Sequence, residues 1–372
     1  MKITNKNILL ISPNSWGGYF VSKHHYALEL AKENQVFFLN SANYDSTVSS
    51  MRIRPIDGQE NLFVIDYNNS FRGLRYYPSF IQNKLYKSTA KKIIKALPKI
   101  DIVWSFELHR FPNLDVFEAP LTIFHPVDRY PTPFFSKLMR SSDIAFATDQ
   151  SIFQAKEYNT PHYVINHGLS DVFLTSSKTV DIPNKASNRT KAALVGNPQQ
   201  KYLSQKTLWE TINKHPEVDF YFIGQIDENQ IREKEKRFFY KKIRAAKNVF
   251  DLGKKDFKDL KDYLALMDIL LICYDLENND EAPPNPHKLL EYLSSGKAIV
   301  SNFFPFFKQH EDLLFMADSL KDYPTLFGDV LKNLREVNNE ENQLKRKLFA
   351  QGFTYQKQLV KIEHLLDKHR LR

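Results

Sequence analysis

Short unbroken apolar runs recur along this chain, and many are followed by a stretch whose apolar residues fall three and four apart. Asn7 to Ser12 holds Ile8-Leu9-Leu10-Ile11 and reads as a strand buried on both faces. A helix is expected from about Phe20 to Lys32, then a strand at Val36–Asn40. Further strands are predicted at Leu62–Asp66, Asp101–Phe106, Leu121–Phe124, Asp143–Thr148 and Tyr163–Asn166, with helical stretches starting at Ser79, Pro133 and Gln150. Ser176 to Thr190 is polar, contains Pro183 and lacks apolar periodicity, which marks a linker. The alternation then resumes: strands at Ala192–Gly196, Phe220–Gly224, Val249–Gly253 and Asp268–Leu271, helices from Ser204 and over Leu260–Met267. From about Asp318 to Arg372 the chain is helical and strongly charged. Strand-helix alternation predicts an α/β fold with parallel, doubly wound sheets, whose ligands lie beyond the carboxyl ends of the strands.

The segment from Asn285 to Ser301 carries the most information. Asn285 is placed as an N-cap and Pro286 at the first helical position. Leu289, Leu290 and Leu293 form an apolar face, Gly296 stops the helix, and Ala298-Ile299-Val300 begins a strand. Lys288 and Glu291 are three apart and share a face near the helix start. A helix amino end after a turn attracts anions. A lysine there meets a phosphate, and a glutamate one turn on accepts hydrogen bonds from a ribose diol. A solvated Lys/Glu face fits the periodicity as well.

Composition narrows the partners. The 372 residues suit two domains, and 42% apolar content supports packed cores. Lys and Arg exceed Asp and Glu by 52 − 43 = 9, which favours an anionic partner without choosing one. The single cysteine, Cys273, lies in the apolar run Ile269–Tyr274 and reads as core, so no intrachain disulfide or cysteine-cluster zinc site exists. The run Ile8–Ile11 is too short for a signal peptide, and none approaches the ~20 residues of a membrane span. A cytoplasmic protein is expected, with one feature that could rest on the inner membrane face. The helix from Ser79 to Leu97 sets Lys84, Lys87, Lys91 and Lys95 beside Phe80, Ile81, Leu85, Ile93, Ile94 and Leu97. The alternative is the solvated face of a core-packed helix. Basic residues are otherwise scattered and no stacking module accompanies them, which argues against nucleic acid. His24 and His25 lack the carboxylate or cysteine company of a metal site, and one of the pair is expected to face a cleft or solvent.

The pattern Pro286-x-Lys288-Leu289-x-Glu291-Tyr292-Leu293-x-x-Gly296-Lys297-x-Ile299-Val300 resembles the donor-site signature of GT-B glycosyltransferases, in the large group of bacterial polysaccharide and lipid glycosyltransferases. The resemblance implies two Rossmann-like doubly wound domains facing a cleft: residues 1–172 for the acceptor, a linker at 173–190, residues 191–340 for the donor, and helices over 341–372 that return to the first domain. It implies a hexosyltransferase using a nucleotide sugar, UDP-linked by expectation, with a glycan or lipid-linked glycan acceptor for a surface polysaccharide. Neither cofactor nor metal is expected, since cations and helix dipoles stabilise a leaving diphosphate and no Asp-x-Asp is present. Implied donor contacts are Glu291, Lys288, Leu289 and Leu290, the strand-ending Gly196, and Lys201 in the loop after it. Gly17 and Gly18, between first strand and first helix, would let the backbone approach the donor phosphates. Thr122-Ile123-Phe124-His125 resembles a strand-end Thr-Phe-His, which puts His125 first and Asp128 second as catalytic candidates. Asn166-His167-Gly168 resembles the turn that closes the first domain. The chain departs from the family at Pro283, where many retaining members carry a second glutamate; Glu281 is near but out of register. That departure puts retention in question and supports a catalytically silent scaffold subunit, while a non-hydrolysing sugar-nucleotide epimerase of the same fold, which needs several acid/base carboxylates, is the nearest enzymatic rival.

Overall fold

The computed structural model describes residues 2–17, 20–43, 51–68, 76–129, 132–154, 157–224, 226, 234–279 and 282–371. Gly18 and Glu281 lie outside the described residues. The chain forms two compact units, Met1–Gly168 with Tyr355–Arg372, and Leu169–Thr354. The boundary falls within the Asn166-His167-Gly168 turn, directly after the glycine.

Unit 1 is built on eight strands: β1 (Asn7–Ile11), β2 (Gln35–Leu39), β3 (Arg52–Ile56), β4 (Gln59–Asp66), β5 (Ile102–Ser105), β6 (Leu121–Phe124), β7 (Ile144–Ala147) and β8 (His162–Val164). Their order is β3-β4-β2-β1-β5-β6-β7-β8, parallel except for the β3–β4 pair. Ile8 and Leu10 of β1 point into one core and Leu9 and Ile11 into the other, so the sheet is covered on both faces. The helices are α1 (Ser22–Ala31), α2 (Ser79–Lys95) and α3 (Phe135–Arg140), together with the last helix of the chain, Tyr355–Lys368. A 3-10 turn at Gln150–Phe153 stands where a helix is expected from Gln150. Strand β3 has no counterpart in the apolar pattern. It is an edge strand with Arg52, Arg54 and Pro55, mostly exposed.

Unit 2 holds β9 (Lys191–Val195), α4 (Gln205–Lys214), β10 (Asp219–Ile223), α5 (Lys234–Ala245), β11 (Val249–Asp251), α6 (Leu260–Ala265), β12 (Ile269–Leu271), α7 (Lys288–Ser295), β13 (Ala298–Asn302), β14 (Phe315–Ala317), α8 (Tyr323–Lys332), α9 (Leu334–Val337) and α10 (Glu340–Gln351). Its six strands are all parallel in the order β11-β10-β9-β12-β13-β14. Phe304 and Phe307, on either side of Pro305 and Phe306, are fully buried in its core.

Two boundaries differ from the expectation. The stretch read as a linker is packed on unit 2: Ile182 is buried, Tyr221 donates to the Pro183 carbonyl at 2.7 Å, and Arg189 pairs with buried Asp219 at 2.6 Å. Of the terminal helices, α10 stays in unit 2 against α7, and only α11 (Tyr355–Lys368) counts with unit 1. Buried Arg346 of α10 explains this. Its guanidinium donates to the Leu313 and Gly296 carbonyls at 2.8 and 3.1 Å, locking α10 to the end of α7.

Candidate functional site

In each sheet the chain first steps outward one way and then returns to step the other way. In unit 1 that reversal lies between β1 and β5, in unit 2 between β9 and β12. Crevices beyond the carboxyl ends of the strands at such points are where open α/β sheets bind ligands. Both units carry charged groups there.

In unit 2 the reversal is bridged by one side chain. The Tyr292 hydroxyl accepts the Val195 amide of β9 at 2.9 Å and donates to the Leu271 carbonyl of β12 at 3.3 Å. This anchors α7 over the strand ends. Tyr292 belongs to the quoted pattern, yet its tie to β9, 97 residues away along the chain, has no sequence signal. Two glycines clear space at the same spot. A Cβ on Gly196 would stand 2.4 Å from Lys288 Cε and 2.6 Å from Nζ, and its φ of +116° favours glycine in any case. A Cβ on Gly224 would stand 1.7 Å from the Gly196 carbonyl oxygen. The Lys288 stem therefore lies on the bare backbone that ends β9.

Glu291 is one turn along α7 and 9% exposed. Its carboxylate makes no hydrogen bond with any described residue, and His287 Nε2 lies 3.8 Å from it. Burial pushes its pKa up from 4.5 to about 7, with Lys288 pulling the other way. Leu289 and Leu290 are buried in the core, and their amides donate to the Pro286 and His287 carbonyls at 3.0 and 3.1 Å. The N-cap is His287, not Asn285, because a tight turn through Pro286 and His287 precedes the helix. Lys201 is exposed in the loop between β9 and α4.

In unit 1 the reversal is filled by a buried ion pair. Glu107, just past β5, takes Arg110 Nε on Oε2 at 2.7 Å, while its Oε1 accepts the Leu108, His109 and Arg110 amides at 3.0, 2.8 and 3.3 Å. Arg110 also donates to the Asn40 carbonyl at 2.9 Å, to the Tyr67 hydroxyl at 2.5 Å and to the Ser12 carbonyl, tying together the ends of β1, β2 and β4. These charges hold the Glu107 carboxyl below its usual range despite burial. Gly17 has φ +93° and open space around its missing Cβ.

His125 follows β6 and is 1% exposed, stacked on Phe106 at 4.8 Å. The Trp104 indole, which can only donate, reaches His125 Nδ1 at 3.3 Å, so the ring proton sits on Nε2. Burial, with nearby His167 adding to it, lowers the His125 pKa to about 3. At neutral pH His125 is therefore an uncharged donor through Nε2 and too weak a base to take a proton. Asp128 is half-buried three residues on. His24 and His25 are both buried, so of the two settings expected for one of them, cleft or solvent, solvent is excluded. His24 Nδ1 accepts the Val21 amide at 3.2 Å and Nε2 donates to the Ser15 carbonyl at 3.3 Å, while His25 stacks on Tyr355 at 5.0 Å. Both hold the loop and helix in place. Lys23, beside them, is buried, and nothing in the sequence pattern signals that. The exposed face of α2 carries Lys84, Lys87, Lys91 and Lys95 as well as Lys92, while Tyr86, Ala90 and Ile93 face the core.

This pair of sheets, with their chemistry at the reversal points, is the GT-B fold of glycosyltransferases. Comparison with solved structures bears this out over nearly the whole chain. A trehalose-6-phosphate structure from E. coli bound with UDP-2-fluoro glucose matches with a TM-score of 0.73 at 12% identity, covering 98% of this chain and 99% of that one. Sucrose-phosphate synthase from Thermosynechococcus elongatus matches with a TM-score of 0.70 at 10% identity, over 98% and 99%. Anabaena HepE in complex with UDP and glucose matches with a TM-score of 0.69 at 12% identity, over 98% and 100%. No protein-family profile matches the chain, and no curated protein matches it in sequence.

Proposed function

We propose that this protein is a glycosyltransferase that moves a hexosyl group from a UDP-sugar to a glycan or lipid-linked glycan acceptor of a surface polysaccharide. The carrying observation is the buried carboxylate of Glu291, with no hydrogen bond to any described residue, one turn from Lys288 where α7 starts above the β9–β12 reversal. A ribose diol satisfies the carboxylate. The diphosphate meets Lys288 and the amino end of α7. UDP is chosen because structural neighbours are UDP complexes or UDP-forming enzymes. Lys201 and the loop glycines would complete the phosphate contacts, and these cations stand in place of a metal ion as the leaving group departs. Neutral His125 would donate from Nε2 to the transferred sugar, and Asp128 would accept from the acceptor hydroxyl.

The exposed lysines of α2 continue into exposed Tyr76, Tyr77 and Phe80. This combination suits the headgroup region of an anionic bilayer, where each cation contributes about 1 kcal/mol. Such docking would bring a lipid-linked acceptor to the enzyme. Among the described residues no helix is long and apolar enough to cross a membrane.

Nucleotide release from a panel of UDP- and GDP-sugars, with and without acceptor glycans, tests the reading. Acceptor-dependent release of UDP supports it. Acceptor-independent conversion of the sugar nucleotide would make the protein an epimerase. Binding without turnover would fit a silent scaffold, the reading favoured by Pro283 in place of the second glutamate.

A further inference from the structure

His287 caps α7, and Glu291 follows it one turn on, so the two share a helix face. Their side chains meet there, with His287 Nε2 3.8 Å from Glu291 Oε1. A rotation that closes the gap by about 1 Å makes a charge-assisted hydrogen bond. The His287 side chain is 32% exposed and that of Glu291 12%, so the imidazole reaches solvent while the carboxyl is enclosed. In the free protein, ionisation of either group is opposed. The positive end of the α7 dipole, with Lys288 beside it, disfavours an imidazolium at the cap. Burial disfavours the carboxylate of Glu291, and Lys288 offsets this in part. A nucleoside diphosphate reverses both preferences. Its negative charge at the amino end of α7 favours the imidazolium, and ribose hydroxyls donating to Glu291 favour the carboxylate.

Charges on the neighbouring elements are engaged elsewhere. Helix α7 packs against α10, α6 and the 3-10 turn Asp171–Leu174. From α10, Arg346 and Lys347 lie against Gly296 at the far end of α7, Glu341 pairs with Lys345 at 2.9 Å, and Glu340 is exposed. From α6, Lys261 donates to the Ser176 carbonyl, Asp262 accepts the Lys178 amide at 2.7 Å, and the Tyr263 ring lies under Lys255 at 5.1 Å. Asp171 is exposed. Among the described residues, Lys288 is the charge that acts on Glu291. We propose that His287 takes the Glu291 proton when the donor binds. The carboxyl O–H bond breaks, an Nε2–H bond forms, and no proton leaves the site. This leaves a carboxylate for the ribose and a second cation beside Lys288 at the amino end of α7. The inference rests on the UDP-sugar reading and adds a residue and a proton movement to it.

The test uses the full chain and calorimetric titration of UDP at pH 7 in two buffers of different ionisation enthalpy, which counts the protons released per UDP bound. The Glu291 carboxyl titrates at about 7, so about half of the molecules carry its proton at that pH. Wild type should release close to none, because the imidazole keeps the proton. His287→Gln should release about half a proton per UDP. Between pH 8 and pH 6 its UDP affinity should also fall about tenfold more steeply than that of wild type, while ionisation of the UDP phosphate affects both proteins alike. His287→Asn, whose side chain suits a cap position, should repeat the result and guards against a folding defect. Equal proton release and equal pH slopes in wild type and variants that bind UDP would overturn this inference and leave the donor reading standing. Failure of wild type to bind UDP would overturn the donor reading, and this inference with it.

Discussion

Replacing Glu291 by glutamine should make the protein more stable and a poorer nucleotide binder. The carboxyl is buried, and its pKa lies near 7 in the folded protein against 4.5 unperturbed. At 1.36 kcal/mol per pH unit, ionising it in place costs about 3 kcal/mol. Because the folded value is the higher one, the favourable contribution is full below pH 4.5 and is lost as pH rises through 7. Glutamine cannot ionise, so the variant should match wild type at acid pH and exceed it by up to about 3 kcal/mol at pH 8. Function should move the opposite way. A charge-assisted hydrogen bond contributes about 1.5–3 kcal/mol, so UDP affinity should fall roughly 10- to 100-fold. Urea denaturation at pH 5 and pH 8 and calorimetric titration of UDP read the two effects. Unchanged UDP affinity would refute the role of Glu291. A stability gain equal at both pH values would refute the burial argument, since a packing effect would not follow ionisation.

Tyr292→Phe should destabilise unit 2 by about 1–3 kcal/mol, because the Val195 amide loses its acceptor in the core, and should also weaken UDP binding as α7 loosens; urea titration and calorimetry check both. Gly196→Ala should cost roughly 1–2 kcal/mol from its positive φ and should displace Lys288, so diphosphate-containing ligands should lose more affinity than uridine itself. Arg110→Leu should destabilise by about 3–5 kcal/mol, since it strands the Glu107 charge in the interior, and a thermal melt would register it as a large drop in Tm. EDTA should leave sugar transfer unchanged within error; a loss restored by added magnesium would contradict charge compensation by Lys288 and the helix.

The chain's local grammar determined a good deal. Runs such as Ile8–Ile11 and Ala298–Val300 announce strands covered on both faces, because only a sheet with helices on each side buries every position. Gly296 in the left-handed region at φ +78° closes α7 as the pattern implies. The Lys288–Glu291 pair was legible because three-residue spacing fixes a shared helix face whatever surrounds it. Edge strand β3, the packed course of residues 176–190 and the allegiance of α10 were not legible. Each depends on a partner far along the chain: β4 for the first, Tyr221 and Asp219 for the second, the Gly296 carbonyl for the third. The same holds for the chemistry. Sequence marks which groups can ionise, whereas burial decides which form they take. His125 is a neutral donor because Trp104 and Phe106 surround it, and the Glu291 carboxyl holds its proton more tightly than usual because it is buried. Lys23 is buried because the topology carries the start of α1 into the fold, and desolvation is a property of the assembled fold that no run of neighbouring residues encodes.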